Sequence, residues 1–205
     1  MDTGRLETFS DGVFAIAITL LILNVRVAAG PGSLTHRLGQ AWPTYVAYLI
    51  SFLVIGIMWA NHHTIFRLIR ETSHGLIVAN LLFLMCLAFI PFPTSVLAEN
   101  LRHASADQRA AAVFYNGVFT VTAVFYNVLW QVASRRNRLI VPGAEGAAAE
   151  VTRRFRYGVP SYLLATLVAI GSVPASLAID GALALFYVLP QRATAVIRDP
   201  GGRSG

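Results

Sequence analysis

The sequence predicts an all-α membrane protein built as one six-helix domain, residues 1–197, on three observations. Charged residues make up only 13% of the chain, about half of the roughly 25% that is typical of a soluble domain. Apolar stretches close to the roughly 20 residues that a membrane span needs recur along the chain. Arginine supplies all the basic residues other than histidine and gathers at the ends of these stretches, as expected of side chains anchored at lipid headgroups.

The first four spans are continuous apolar stretches, whereas the last two share one stretch. The shared stretch, 155–189, is too long for one helix, and its Gly/Pro cluster at 171–174 predicts the turn that divides it. Asp180-Gly181 is the alternative position for that turn. The predicted spans are approximately 9–27, 42–61, 76–97, 110–132, 154–172 and 175–192, and residues 198–205 are predicted to form a disordered tail.

Two local sequence features predict irregularities between and within these spans. Pro91 and Pro93 predict a kink in the third span, because proline removes a backbone donor and clashes with the preceding turn. The stretch 143–149, rich in glycine and alanine, predicts a flexible loop between the fourth and fifth spans.

The distribution of arginine predicts how the chain is oriented. With six spans and the N-terminus inside, twelve arginines fall in inner segments and four in outer segments. Inner loops of membrane proteins carry an excess of basic residues. We therefore expect a multi-pass protein of the cell membrane with both termini in the cytoplasm.

Several classes of function are disfavoured by what the sequence contains. The arginines form no basic face interleaved with aromatic residues, which argues against nucleic-acid binding. His62 and His63 are adjacent, whereas zinc motifs on helices place histidines four residues apart, and Cys86 is the one cysteine. There is no Gly-x-Ser-x-Gly elbow, His-Glu-x-x-His motif or phosphate loop. We expect no enzyme activity, no metal site and no cofactor.

The first span carries an apolar stripe and, on nearly the opposite side, a carboxylate. At about 100° per residue, Ile16, Leu20 and Leu23 fall on one narrow stripe, with Thr19 beside it. Such a stripe can face lipid or pack on a neighbouring helix. It can also line a constriction, because rings of apolar side chains gate pores by dewetting. The pattern alone does not choose between these interpretations.

Polar residues at the start of the first span and the end of the second lie on the same side of the membrane. Because polar groups buried in a bundle pair with one another, we expect Asn61 or one of the two histidines to hydrogen-bond Ser10 or Asp11. Arg5 lies about one and a half turns before Asp11 and is expected to join this cluster.

The motif Arg5-x-x-x-Phe9-Ser10-Asp11, continued by Phe14-Ala-Ile16 and Thr19-Leu20, resembles the signature of the transmembrane protein 175 family of potassium channels. The ends of the second and third spans, Trp59-x-Asn61-His62-His63 and Pro91-Phe-Pro93-Thr94, are similar to patterns of that family. The resemblance covers the first three spans closely, and the last three match in number and hydropathy.

This resemblance implies a homotetramer of six-helix subunits around a central pore that is lined by the first helix. It implies narrow rings formed by Ile16, Leu20 and Leu23, with Thr19 contributing to a preference for potassium. A filter of the Thr-Val-Gly-Tyr-Gly type is absent from the sequence. The residues expected to brace the first helix against the second are Arg5, Phe9, Ser10, Asp11, Trp59, Asn61, His62 and His63.

The expected function is therefore a potassium-preferring cation channel with a hydrophobic constriction. Its expected partners are potassium ions, the lipid bilayer and further copies of the chain. The alternative is a proton-coupled secondary transporter in which Asp11 and a histidine of the second helix exchange protons.

Overall fold

The computed structural model describes residues 3–27, 29, 31–102, 105–135 and 139–188, and for 186–188 the backbone alone. Within these residues the chain is helical, apart from one isolated antiparallel bridge between Ile69 and Ile140. The elements are α1 (Thr3–Leu20), a 3-10 helix (Leu21–Asn24), α2 (Leu34–Gln40), α3 (Trp42–Phe66), α4 (His74–Phe89), α5 (Pro91–Asn100), α6 (Ala106–Ser134), α7 (Glu145–Gly171) and α8 (Val173–Val188).

Four segments of the described chain are long and apolar enough to cross a membrane. They are Thr3–Asn24, Trp42–Phe66, His74–Asn100 and Ala106–Ser134. The apolar part of α8, Val173–Leu185, is shorter, and the first half of α7 carries several arginines. The all-helical architecture is as expected, and the count of six spans stays a prediction.

Several helix boundaries differ from those expected. α1 begins at Thr3 rather than Phe9, and the 3-10 helix that continues it ends at Asn24, so Val27 lies beyond both. α7 begins at Glu145, which makes the prediction of a flexible loop over 143–149 wrong from that residue onward. Alanine has the highest helix propensity, and a carboxylate in the first turn complements the helix dipole. Gly143, with a positive φ of 86°, supplies the preceding turn.

The junctions around the proline clusters are ordered turns between helices. α7 ends at Gly171 and α8 begins at Val173, with Ser172 extended between them, so Asp180-Gly181 lies inside α8. The third span consists of α4 and α5, which meet at Ile90 just before Pro91. The predicted end of the sixth span at 192 and the predicted disordered tail, 198–205, lie outside the described residues.

Serine side chains mark the beginnings of three helices. Ser33, Ser73 and Ser105 stand immediately before α2, α4 and α6, and each accepts a hydrogen bond from the backbone N–H three residues later. A serine hydroxyl in this position satisfies one of the four backbone donors left unpaired at a helix start.

The core is built around α6, which packs against α4, α5 and α7, while α1 packs against α3 and α4. Aromatic rings fill the junction of α3, α4 and α6. Phe83 stacks on Tyr126 with ring centroids 4.5 Å apart, and the buried His62 ring stacks on Phe66 at 4.3 Å. This packing sets the position of α1, whose buried side meets the same group of rings through Phe14.

A carboxyl group lies in the core at the α6–α8 contact. Asp180 of α8 is only 1% exposed, and neither of its carboxylate oxygens has a hydrogen-bond partner among the described residues. Asn116 of α6 lies alongside it, and the Asn116 side-chain carbonyl is also unpaired. A buried carboxyl whose oxygens accept no hydrogen bond from a described residue is an unfavourable site for an ionised carboxylate.

Asp180→Asn is expected to raise the midpoint of thermal unfolding of the detergent-solubilised protein. The substitution keeps the shape of the side chain and removes the buried carboxylate that has no hydrogen-bond donor, a gain on the order of 1 to 3 kcal/mol. The matched control, Asn116→Asp, places a second carboxyl at the same contact and is expected to lower the midpoint. A lower midpoint for Asp180→Asn would mean that Asp180 has a cationic partner.

Candidate functional site

The first helix has one side that is fully packed inside the subunit. Its buried residues follow one another at intervals of three or four, so they form a single stripe along the helix. This stripe contacts α3 and α4. The residues are Leu6, Ser10, Phe14, Ala17 and, in the following 3-10 helix, Leu21.

The opposite side of the first helix is apolar and uncovered. Ile16 is 61% exposed, Leu23 is 59% exposed, and Leu20 and Phe9 are also exposed. The 3-10 helix that contains Leu23 has three residues per turn, so Leu23 lies one turn directly beyond Leu20. The stripe predicted from the sequence is therefore a continuous exposed line, and no other part of the described subunit covers it.

Thr19 lies on the same exposed side as Ile16. Its hydroxyl donates a hydrogen bond of 2.9 Å to the backbone carbonyl of Ile16, one turn earlier in the helix. Because the hydroxyl proton of Thr19 is donated within the helix, the lone pairs of its oxygen point away from the helix.

The far end of the first helix is tied to the junction of α4 and α5. The side-chain amide of Asn24 donates to the carbonyl of Pro91 at 2.8 Å. Arg26 folds back along its own chain, and its Nε donates to the carbonyl of Leu23 at 3.1 Å. The sequence analysis missed Asn24, because nothing in the local sequence pairs it with a proline 67 residues away.

At its N-terminal end, α1 is joined to α3 and α4 by a buried chain of hydrogen bonds. The Asn80 amide donates to the Ser10 hydroxyl at 2.9 Å, and the Asn80 carbonyl lies 3.0 Å from Nε2 of His62. The Ser10 hydroxyl in turn donates to the Leu6 carbonyl at 2.8 Å. His62 thus reaches Ser10 through Asn80, a residue of α4 that the sequence analysis did not place in the cluster.

Two further pairs join α1 to α3 at the surface. The Trp59 indole N–H donates to Asp11 at 2.9 Å, and His63 Nδ1 lies 2.8 Å from a carboxylate oxygen of Glu7. Glu7 and Asp11 are four residues apart on α1, as Trp59 and His63 are on α3, so the pairs form two rungs one turn apart. This matched spacing is the signal from which Glu7 could have been identified.

Other residues of the expected cluster lie apart from it. Asn61 is half-buried in a crevice between α3, α6 and α7, and its amide makes no hydrogen bond within the described part of the chain. Arg5 and Phe9 are exposed, and Arg5 has no hydrogen bond or ion pair to any described residue. The partner of Asp11 is the Trp59 indole rather than Asn61 or a histidine.

The two histidines at the end of α3 contact different partners, His62 in the core and His63 at the surface. Within the described ranges, no three histidine, cysteine or acidic side chains come together in a way that could hold a metal ion. The arrangement around α1 is therefore a set of polar contacts at its two ends, with an uncovered line of aliphatic side chains between them.

Comparison with known proteins relates this chain to the TMEM175 family. The family described as Endosomal/lysosomal potassium channel TMEM175 matches residues 5–91. The chain is 49% identical over 189 residues to a potassium channel of Streptomyces collinus, with 91% of each chain covered. It is 41% identical over 197 residues to a potassium channel of Chamaesiphon minutus, covering 94% of this chain and 96% of that protein.

A solved structure shows the same similarity at the level of the fold. The crystal structure of a lysosomal potassium-selective channel TMEM175 homolog from Chamaesiphon minutus matches with a TM-score of 0.81 at 40% identity. The match covers 91% of this chain and 96% of that one.

Proposed function

The chain belongs to the TMEM175 family of potassium channels, and we propose that it is a potassium-preferring cation channel with a hydrophobic constriction. The family is one of channels rather than of enzymes, and several apolar helices accord with a multi-pass membrane protein. Beyond family membership, we propose which helix forms the pore, how many subunits surround it and which residues limit the passage of ions.

The observation that carries the proposal is the exposed line of Ile16, Leu20 and Leu23. Isolated exposed aliphatic side chains need no explanation in a membrane protein, because lipid covers them. Here the exposed line lies on the helix whose other side is fully buried, next to the exposed hydroxyl of Thr19. We propose that four copies bring these lines together around one axis, where the aliphatic rings interrupt the water column.

Two neighbouring features fit the same arrangement. The Thr19 oxygen, one turn from the aliphatic rings, offers lone pairs to an ion that has lost part of its hydration shell. The contacts made by Ser10 and Asp11 hold α1 at a defined rotation, so that its aliphatic side faces the axis. In this proposal the cluster positions the pore helix and does not itself bind the ion.

The orientation of the subunit in the membrane is part of the proposal. The excess of arginine in segments that would be inner, twelve against four, supports cytoplasmic N- and C-termini in the cell membrane. The contacts between the start of α1 and the end of α3 then lie at the cytoplasmic side of the pore.

Vesicles that contain the purified protein are expected to release potassium down an imposed gradient, and more rapidly than they release sodium. The measurement follows loss of each ion from preloaded vesicles with the membrane potential clamped by an ionophore. Empty vesicles and vesicles containing heat-unfolded protein are the controls.

The same vesicles distinguish the alternative function. Potassium release that requires an opposing proton gradient and saturates with potassium concentration would indicate the proton-coupled transporter. Release at equal rates for both ions would remove the preference for potassium and leave a nonselective channel. Absence of flux from folded protein would contradict both functions.

A further inference from the structure

A crevice between α3, α6 and α7 opens beside the core, away from the exposed line of α1. Its cavity volume is about 90 Å³, and it is open at the surface. Most of its lining is apolar, and the polar groups are two amides, one guanidinium and the hydroxyls of two tyrosines. The lining residues on which the inference depends are Asn61 from α3, Asn127 from α6, and Arg154, Gly158 and Tyr162 from α7.

The polar groups of the crevice lie toward one end of the bundle. Asn61 is near the end of α3, and its amide has no hydrogen-bond partner among the described residues. Arg154 lies in the first half of α7, where its Nε is 3.6 Å from Glu150. Glu150 also accepts a closer contact of 2.7 Å from Arg153. One carboxylate is thus shared by two guanidinium groups, so this turn of α7 keeps a net positive charge.

The crevice crosses the boundary between polar and apolar surface on α7. Arginines occupy positions 153, 154 and 156, and Tyr157 is exposed immediately after them. The exposed side chains further along the helix are apolar, among them Leu163, Leu164 and Leu167. Arginine followed by tyrosine is typical of the depth at which lipid headgroups meet acyl chains. The end of the crevice at Arg154 therefore lies at headgroup depth, and the end at Tyr162 lies among the acyl chains.

We propose that this crevice binds an anionic glycerophospholipid, with its phosphate at Arg154 and Asn61 and one acyl chain between Gly158 and Tyr162. The guanidinium and the amide supply donors for phosphate oxygens. Gly158 leaves this part of the crevice open, and the nearest atom to a Cβ placed there would be the Asn127 amide nitrogen at 3.9 Å, an ordinary contact distance. A soluble anion would leave the apolar part empty, and a zwitterionic lipid would bring no net negative charge to a turn that holds three arginines and one glutamate.

This inference depends on the chain lying in a membrane and not on the proposed pore. The test is native mass spectrometry of the detergent-solubilised full chain, titrated with dioleoyl phosphatidylglycerol or with dioleoyl phosphatidylcholine. The wild-type protein is expected to retain phosphatidylglycerol in preference. Arg154→Gln is expected to weaken that retention roughly fivefold, because one arginine near an anionic surface is worth about 1 kcal/mol. Arg154→Lys is expected to recover part of it.

Two matched controls separate a built site from diffuse attraction. Arg156→Gln removes the same charge from an exposed position of α7 outside the crevice and is expected to leave retention unchanged. Gly158→Phe fills the acyl part and is expected to abolish the preference, whereas Leu164→Phe adds a ring to the outer surface and is not. Unfolding curves that match the wild type establish that each variant is folded.

Three outcomes would overturn the proposal. Equal losses for Arg154→Gln and Arg156→Gln would mean that the lipid responds to surface charge alone. Equal retention of the two lipids by the wild type would mean that the headgroup is not recognised. Full retention by folded Gly158→Phe would place the lipid elsewhere on the protein.

Discussion

Ile16→Asn is expected to increase potassium flux through reconstituted vesicles roughly tenfold or more and to reduce the preference for potassium over sodium. An amide in each proposed aliphatic ring gives water a hydrogen-bonding partner at the constriction, so the passage stays wetted. A barrier lowered by about 1.4 kcal/mol raises a rate tenfold. Because Ile16 is mostly exposed, the substitution removes little packing within the subunit. Flux of both ions is measured at equal protein-to-lipid ratio.

The control for this prediction is the same substitution at another exposed isoleucine. Ile170 on α7 is 60% exposed and takes no part in the proposed constriction. Ile170→Asn is expected to leave flux and ion preference unchanged. If both variants conduct like the wild type, the exposed line of α1 faces lipid, and the proposed pore lies elsewhere.

Asn80→Leu is expected to lower the stability of the subunit strongly. Asn80 is fully buried and supplies a donor to Ser10 and an acceptor facing His62. Leucine removes the donor to the Ser10 oxygen, which keeps its own bond to Leu6, and leaves Nε2 of His62 without its partner in the core. A buried polar group left unpaired costs roughly 1 to 3 kcal/mol. His62 would then have no partner at either ring nitrogen among the described residues, because its Nδ1 already has none. The readout is the midpoint of thermal unfolding in detergent.

Asn100→Leu provides the comparison for Asn80→Leu. The Asn100 side chain is partly buried and donates only to the backbone of its own helix, at Val96. Its replacement is expected to shift the midpoint much less. Equal shifts for the two variants would show that loss of an amide, rather than loss of the link between α1, α3 and α4, determines stability.

The exposed line on α1 could be predicted from the sequence because helical periodicity is a local property. The spacing of Ile16, Leu20 and Leu23 determines that they share one side of a helix whatever surrounds it. The same spacing does not say whether that side faces lipid, a neighbouring helix or a pore. Which of these surroundings the apolar side meets depends on how the other side of α1 packs in the subunit, and that packing is not a local property of the sequence.

The partners in the polar cluster could not be predicted, because several donors compete for the same acceptor. In the sequence, Trp59, Asn61 and the two histidines that follow are all candidate donors to Asp11. The relative rotation of α1 and α3 selects the Trp59 indole, and the packing of α4 brings Asn80 to Ser10.

The prediction of helix boundaries was wrong for a different reason. The start of α7 at Glu145 reflects alanine propensity, which the nearby glycines had obscured.

The contacts of α1 have a mechanical consequence. Between Asp11 and Asn24, no side-chain hydrogen bond joins this helix to another helix in the described chain, and the hydroxyl of Thr19 is used within α1. Hydrogen bonds anchor the two ends of the segment. Between them the Phe14 ring packs against His62 and Phe83, and beyond it the buried contacts are made by aliphatic side chains, Ala17 and Leu21. Bowing of this middle segment breaks no polar bond. In the proposed pore, lateral flexing of the segment beyond Phe14 would widen the constriction at Ile16 and Leu20 while both attachments hold.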